Sequence, residues 1–277
     1  KSLYIDKELP TPPYDTHKET FKGKPEWQRK KTFGFDWKKN LPIPLELPEQ
    51  EWPINYDRNM DLLRCLSSID ESLGKVLATL EEMGELDNTV IIYSSDNGYF
   101  MGEHTYLDKR LAYENSMRVP MVIRYPELIH KNTTVKQKCL NIDLAPTILN
   151  LAGLDIPNYM QGESMVDLLK GNDVDDWRDA ILFEYFKDTY WPYAGPNQIA
   201  VRTDRYKLVD CFLKNDIDEL YDLQTDPGEM TNLINDSSYD AVEQDLREQA
   251  TLLKKQFKYN PNRDWWLKKV MNSKRIK

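Results

Sequence analysis

A chain of 277 residues with 40% hydrophobic and 30% charged side chains is long enough for one large or two modest globular domains with a real core, which excludes a disordered polymer. Its 37 basic against 46 acidic residues leave a formal charge of -9, which argues against a general nucleic-acid binder and leaves room for a local anion pocket. No stretch approaches the roughly eighteen apolar residues of a membrane-spanning helix, so no integral membrane segment is expected.

Residues 1 to 56 are rich in Pro, Lys, Glu and Trp without sustained periodicity, as in PTPPYDTHKE and LPIPLELPEQEWP, and read as a long irregular surface excursion. From Asn59 the apolar residues Leu62, Leu66, Ile69, Leu73, Val76, Leu77, Leu80 and Met83 recur three and four apart and Gly84 follows, which predicts an amphipathic helix with a C-terminal glycine. Cys65 falls on that apolar face and is expected as a small core residue. The run Val90 to Tyr93 reads as a strand, so the helix, turn and strand make an α-to-β step; RVPMVIRYP supplies a second strand, and the economical reading is a mainly parallel, doubly wound sheet flanked by helices. In NIDLAPTILNLAG, Asp143 is the expected N-cap, Pro146 stands in the first turn and Gly153 lies just past the end of a short helix. After about Asp175 the runs AILFEYF, QIAVRT, RYKLVDC and ELYDL alternate with turns and predict a small antiparallel sheet, closed by the amphipathic helix YDAVEQDLREQATLLKKQF. The expected organisation is thus an α/β part over 1–175 and an antiparallel α+β subdomain over 176–277.

The chemistry concentrates where the strand at Thr89 stops, at Asp96-Asn97-Gly98. A strand that ends this way delivers a carboxylate and an amide oxygen to a sheet edge, hard donors suited to Ca²⁺ or Mg²⁺. Alone, Asp-Asn-Gly is a favoured turn sequence. Yet Glu103, His104, Asp108, Lys109, Arg110, Glu114 and Arg118 follow closely, a density of ionisable groups that a hairpin does not need. Arg110 and Glu114 stand four apart and are expected to pair on a short helix.

SSDNGYFMGEH, LDKRLAYENSMRVPMVIR, LAPTILNLAG and ELYDLQTDPGEMTNL together resemble the successive motifs of the type I, formylglycine-dependent sulfatases, over Asn59 to Leu233. The Asp-Lys-Arg and Tyr-Glu details are similar to sulfatases acting on N-acetylglucosamine-6-sulfate. The resemblance implies an alkaline phosphatase-like fold, with Asp96 and Asn97 as two ligands of a single divalent cation, usually Ca²⁺, and Lys109 as the lysine that contacts the sulfate and serves catalysis. His104 either hydrogen-bonds substrate or steadies its own loop. The implied partner is a sulfated sugar or glycosaminoglycan fragment, and the implied location is periplasmic, secreted or lysosomal.

The family's nucleophile motif is missing, as are its early paired aspartates on the first strand and its histidine motif. Formylglycine is made from Cys or Ser within Cys/Ser-x-Pro/Ala-x-Arg, and Cys65, Cys139 and Cys211 are followed by Leu66-Ser67, Leu140-Asn141 and Phe212-Leu213. The chain is therefore expected to be the C-terminal part of a sulfatase, inactive alone, with the nucleophile upstream. Two other readings stay open: a phosphoester hydrolase of the same superfamily, whose two-metal members resemble Asp-His where this chain has Asp96-Asn97, and a sulfated-glycan-binding remnant without catalysis.

Overall fold

The computed structural model describes residues 22–25, 28, 35–36, 41–42, 56–186, 197–210 and 217–260. The expected excursion over 1–56 lies mostly outside them; within it β1 (Phe35–Asp36) pairs antiparallel with β2 (Leu41–Pro42). The described residues of 33–109 and 113–178 form one compact unit, and those of 22–28, 110–112 and 179–260 form a second.

In the first unit, α1 (Tyr56–Glu82) follows the three-and-four spacing of its apolar residues. It ends as its glycine requires: Gly84 adopts φ 72°, and the amides of Gly84 and Glu85 donate to the carbonyls of Glu81 and Leu80 at 3.0 and 2.9 Å. Its apolar stripe is not buried. Leu66, Ile69, Val76 and Met83 are 45, 47, 55 and 66% exposed, and Cys65 on the same helix is exposed rather than the core residue expected. Periodicity identifies the apolar face of a helix but not what covers it.

β3 (Ile91–Ser94) pairs with β6 (Met121–Arg124) in register Ile91↔Arg124 to Ser94↔Met121, and the pair is antiparallel. Among the described residues no two strands pair in parallel, so the step from β3 to β6 is not the parallel crossover that the apolar runs were expected to make. A parallel crossover needs a connection that spans the sheet, usually a substantial helix. Here the connection holds only the two-residue hairpin strands β4 (Phe100–Met101) and β5 (Leu107–Asp108), the 3-10 turn Glu103–Thr105 between them and the one-turn α2 (Glu114–Met117). Alternation then splits β6 between two environments: Met121 and Ile123 pack on a core of Met165, Leu168, Leu169 and Trp177, whereas Val122 is 63% exposed. That core is supplied by α4 (Val166–Leu169) and the loop after it, alongside α3 (Leu144–Leu151). Gly153, at φ 70°, follows α3 as expected.

In the second unit, β7 (Ile181–Tyr185), β8 (Gln198–Arg202), β9 (Tyr206–Asp210) and β10 (Glu219–Asp222) form the small antiparallel sheet expected, in the order β10-β9-β8-β7, and α5 (Asp240–Gln256) is the closing helix. One face presents Val201, Leu208 and Leu220 to Leu246 and Ala250 of α5. The alternate residues Gln198, Lys207, Glu219 and Tyr221 point the other way and are also buried, at 1% exposure or less. Their hydrogen-bonding groups are answered within the unit. Lys207 forms a buried ion pair with Glu229, and Lys24, itself 0% exposed, donates to the Glu229 carbonyl at 2.8 Å and lies over the Tyr221 ring. Gln28 and the Tyr221 hydroxyl both donate to the Glu219 carboxylate. At the end of β10, Arg205 grips the Asp222 carboxylate through Nε and Nη2, at 3.1 and 2.8 Å, and those hydrogen bonds hold that carboxyl below the usual carboxylate range.

Candidate functional site

The loop that follows β3 is built from short-range hydrogen bonds. The Ser95 hydroxyl donates to the Asn97 carbonyl at 2.9 Å, the Asn97 amide donates to Oδ1 of Asp96 at 2.9 Å, and the Asn97 side-chain Nδ2 donates to the Gly98 carbonyl at 2.7 Å. Oδ1 of Asn97 and Oδ2 of Asp96 accept no hydrogen bond among the described residues, and Asp96 is exposed. Two adjacent uncommitted hard oxygens, one of them anionic, fit a Ca²⁺-type cation. They do not complete a site by themselves: among the described residues no cluster of three or more His, Cys, Asp or Glu side chains is placed to hold a metal.

Gly98 seats this turn. Its amide donates to the Ser116 carbonyl at 2.9 Å, and a Cβ at this position would lie 2.1 Å from the Asn115 carbonyl oxygen, so only glycine permits the approach of the turn to α2.

Two residues later the chain enters the β4–β5 hairpin, where Phe100 pairs with Asp108 and Met101 with Leu107. Lys109 directly follows Asp108, so the hairpin returns it to the end of the ribbon from which the Asp96–Asn97 turn departs. Its ammonium makes no hydrogen bond or ion pair among the described residues, and the side chain is half-buried. The backbone here is strained. His104, Asp108 and Arg110 take φ of 50°, 77° and 102°, half of the non-glycine residues with positive φ among the described ones, and Gly102 takes 122°. Arg110 therefore stands outside α2, which begins at Glu114, so the two residues are not neighbours four apart on one short helix as expected.

The strain is held by an aromatic cluster. Phe100, His104, Tyr106 and Tyr113 are all buried, with ring centroids 4.3 Å apart for His104–Tyr113 and 5.5 Å for Phe100–Tyr106. His104 is 0% exposed at the tip of the hairpin, inside this cluster. Of the residues read from sequence, the structure thus brings Asp96 and Asn97 together on one turn, sets Lys109 on the neighbouring ribbon and packs His104 into the wall beneath.

A further group was not legible as functional. Asp143 does stand before α3, but its carboxylate makes no cap hydrogen bond to that helix. It is fully buried and accepts from the amides of Leu140 and Glu163 at 2.7 and 2.9 Å and from both terminal nitrogens of Arg178, Nη2 at 2.7 Å. Arg178 also stacks over Trp177 at 4.6 Å, and both residues donate to the Lys138 carbonyl. Gly162 admits this arrangement, since a Cβ there would lie 2.0 Å from the Ile142 carbonyl oxygen. From the same 3-10 turn, Asn141 reaches across to the candidate site, its Nδ2 donating to the carbonyls of Ser95 and Asp96, both at 3.0 Å. Only the Asp in LAPT-type helix starts carried a sequence signal, and it pointed to the wrong task.

Two family models match the chain: "Sulfatase" over residues 10–154 and "N-sulphoglucosamine sulphohydrolase, C-terminal" over residues 102–256. An N-acetylglucosamine-6-O-sulfatase of Bacteroides thetaiotaomicron is 38% identical over 206 residues, covering 72% of this chain and 36% of that protein. The human N-acetylglucosamine-6-sulfatase is 43% identical over 124 residues, covering 44% of this chain and 22% of its own length. Among solved structures, a protein in complex with its substrate D-glucosamine-2-N,6-O-disulfate superimposes with a TM-score of 0.77 at 26% identity, over 94% of this chain and 62% of that one. A phosphonate monoester hydrolase of Silicibacter pomeroyi superimposes with a TM-score of 0.71 at 26% identity, over 91% and 51%. The chain spans about a third or less of these two curated relatives.

Proposed function

The chain belongs to the sulfatase family and has the alkaline phosphatase-like fold of its solved relatives, and on that premise we propose that it forms the cation-holding and sulfate-holding part of a sulfuric ester hydrolase acting on a sulfated carbohydrate. The observation that carries the reading is the pairing of the two uncommitted oxygens of Asp96 and Asn97 with the uncommitted ammonium of Lys109 on the adjoining ribbon. A 6-O-sulfated N-acetylglucosamine, free or in a glycosaminoglycan fragment, is the substrate toward which the similar proteins point.

In this reading Asp96 and Asn97 contribute two ligands to Ca²⁺, with Mg²⁺ the poorer fit because it demands a stricter octahedron. When bound, the cation offsets the negative charge on the non-bridging oxygens of the sulfate. Lys109 donates hydrogen bonds to the same oxygens, holds the ester in place and stabilises the charge that shifts during transfer. His104 supports the strained hairpin that presents Lys109; its complete burial favours this role over direct contact with substrate. No nucleophile is assigned to these 277 residues, and a formylglycine would be supplied from outside them. On this reading the enzyme is expected in the periplasm, outside the cell or in the lysosome; among the described residues no helix is long and apolar enough to cross a membrane.

The test is kinetic. In a full-length enzyme that joins these residues to a nucleophile-bearing region, Lys109→Ala is expected to lower kcat/KM for 6-O-sulfated N-acetylglucosamine by roughly 10²-fold or more, and Lys109→Arg to recover only part of it because the planar guanidinium reaches from a different position. Near-normal turnover by a folded Lys109→Ala variant would remove Lys109 from the site.

A second reading, a phosphonate or phosphate ester hydrolase, rests on the similarity to the phosphonate monoester hydrolase. Comparing release from nitrophenyl sulfate with release from a nitrophenyl phosphonate separates the two.

A further inference from the structure

We infer that Asn141 is a positioning residue for the candidate cation site: it fixes the direction in which the Asp96–Asn97 turn presents its oxygens. The inference rests on the cation reading above but concerns a residue that touches neither cation nor substrate. The turn lies past the last paired residue of β3, so its carbonyls have left the strand ladder. One planar NH₂ group, that of Asn141, donates to two of them in succession, Ser95 and Asp96, both at 3.0 Å. No other donor among the described residues reaches either carbonyl. Two bonds from one rigid amide constrain the peptide planes on both sides of the Asp96 Cα, and with them the direction of the Asp96 side chain and the start of Asn97.

Such a clamp is only as firm as its own mounting. Asn141 opens the 3-10 turn that Asp143 closes, with the Asp143 amide donating back to the Leu140 carbonyl at 2.9 Å. The Asp143 carboxylate, fully buried, is tied to the Leu140 and Glu163 amides and to Arg178. A bidentate guanidinium–carboxylate pair with two further amide donors is among the most rigid polar arrangements a protein offers. Asn141 itself is exposed and adds little to the core, so its two hydrogen bonds can be removed without opening a cavity. The order of transmission is therefore Arg178 to Asp143, Asp143 to the turn that carries Asn141, and Asn141 to the backbone of Ser95 and Asp96.

The test compares Asn141→Leu, which keeps the volume and removes both donors, with Asn141→Ser, which keeps one hydroxyl donor, and with Asp96→Ala, all in the full-length enzyme that joins these residues to the nucleophile-bearing region. Amide hydrogen exchange of a peptide covering residues 94–99 is followed with and without added Ca²⁺, alongside thermal unfolding and exchange of α5. Asn141→Leu is expected to speed exchange at Asn97 and Gly98 by about 10-fold and to raise the Ca²⁺ concentration needed for protection by about 10-fold, the scale of one or two ordinary hydrogen bonds, while leaving α5 and the unfolding midpoint unchanged. Asn141→Ser is expected to fall between Asn141→Leu and the parent. If exchange in 94–99 is the same in Asn141→Leu and the parent, the inference is wrong. If instead Asp96→Ala leaves the Ca²⁺ response intact, the cation reading is what fails, and the calcium-free exchange still decides whether Asn141 holds the turn.

Discussion

The sheet of the second unit is covered on both faces, whereas the β3–β6 pair and α1 in the first leave apolar surface in solvent. In the second, alternation sorts residues into an apolar face under α5 and a polar face whose charges are answered by Lys24, Gln28 and Glu229. In the first, the same alternation half-buries Met121 and Ile123 and leaves Val122 exposed, and Leu66, Ile69, Val76 and Met83 of the helix stripe are exposed among the described residues. The difference teaches where each unit's stability resides. Burying ionic groups stabilises only while every partner is present, so the second unit is vulnerable at single positions. An apolar stripe already in water contributes little to stability, so α1 tolerates change on that face.

The largest effect is expected at the buried pair. Lys207→Met or Glu229→Gln, each removing one member of the buried ion pair, should lower the unfolding free energy by about 3–5 kcal/mol in denaturant titration. The double variant should cost clearly less than the sum of the two. Single variants that cost under about 1 kcal/mol would show that the pair is solvated and that the contrast between the units is overstated.

A smaller, pH-dependent effect is expected at Asp222. Its folded-state pKa is depressed, chiefly by hydrogen bonds from Arg205, so it binds a proton more readily when unfolded. The stability it contributes is present above the unfolded value of roughly 3.9 and is lost as the pH falls through the lower folded value. Unfolding followed between pH 5 and 2 should show a shallower loss of stability for Asp222→Asn than for the parent, and identical slopes would contradict the assignment.

On the uncovered side, Val76→Lys and Met83→Glu should change the unfolding free energy by no more than about 0.5 kcal/mol while reducing aggregation of the 277-residue chain. A large destabilisation would mean that the stripe is covered after all.

The smallest expected difference is chemical. Cys65 on the exposed helix should be alkylated at the rate of an ordinary thiol, and Cys139 more slowly, since burial pushes its thiol pKa up and restricts access. Peptide mapping after brief alkylation reads both sites separately from Cys211, which lies outside the described residues. Equal labelling would again place Cys65 under cover.

Much of the candidate site could be read directly. Asp96 and Asn97 stood out as hard oxygens at a strand end, whereas Lys109 was singled out only through the family resemblance; their roles remain proposals. Asn141 gave no such signal. A lone asparagine before a helix resembles any loop residue, and its value comes from two carbonyls at sequence separations of 46 and 45. His104 was ambiguous for a related reason: a histidine's chemistry is evident in sequence, but its burial against Tyr113 depends on a hairpin that folds the two together.

By itself the sequence determined the local elements: α1 and its glycine end, the strands at Ile91 and Met121, the four short strands of the second unit, α5, and the Asp-Asn-Gly turn. Each depends on neighbours within a few residues, and periodicity and turn chemistry record such neighbours. The tertiary structure alone decided that β3 and β6 run antiparallel, that Asp143 pairs with Arg178 rather than capping α3, that Lys207 meets Glu229 in the interior, and that several apolar residues of α1 are exposed among the described residues. Pairing direction, ion partners and cover are set by residues tens of positions away, and a side chain's local pattern states which way it can face without stating what it will meet there.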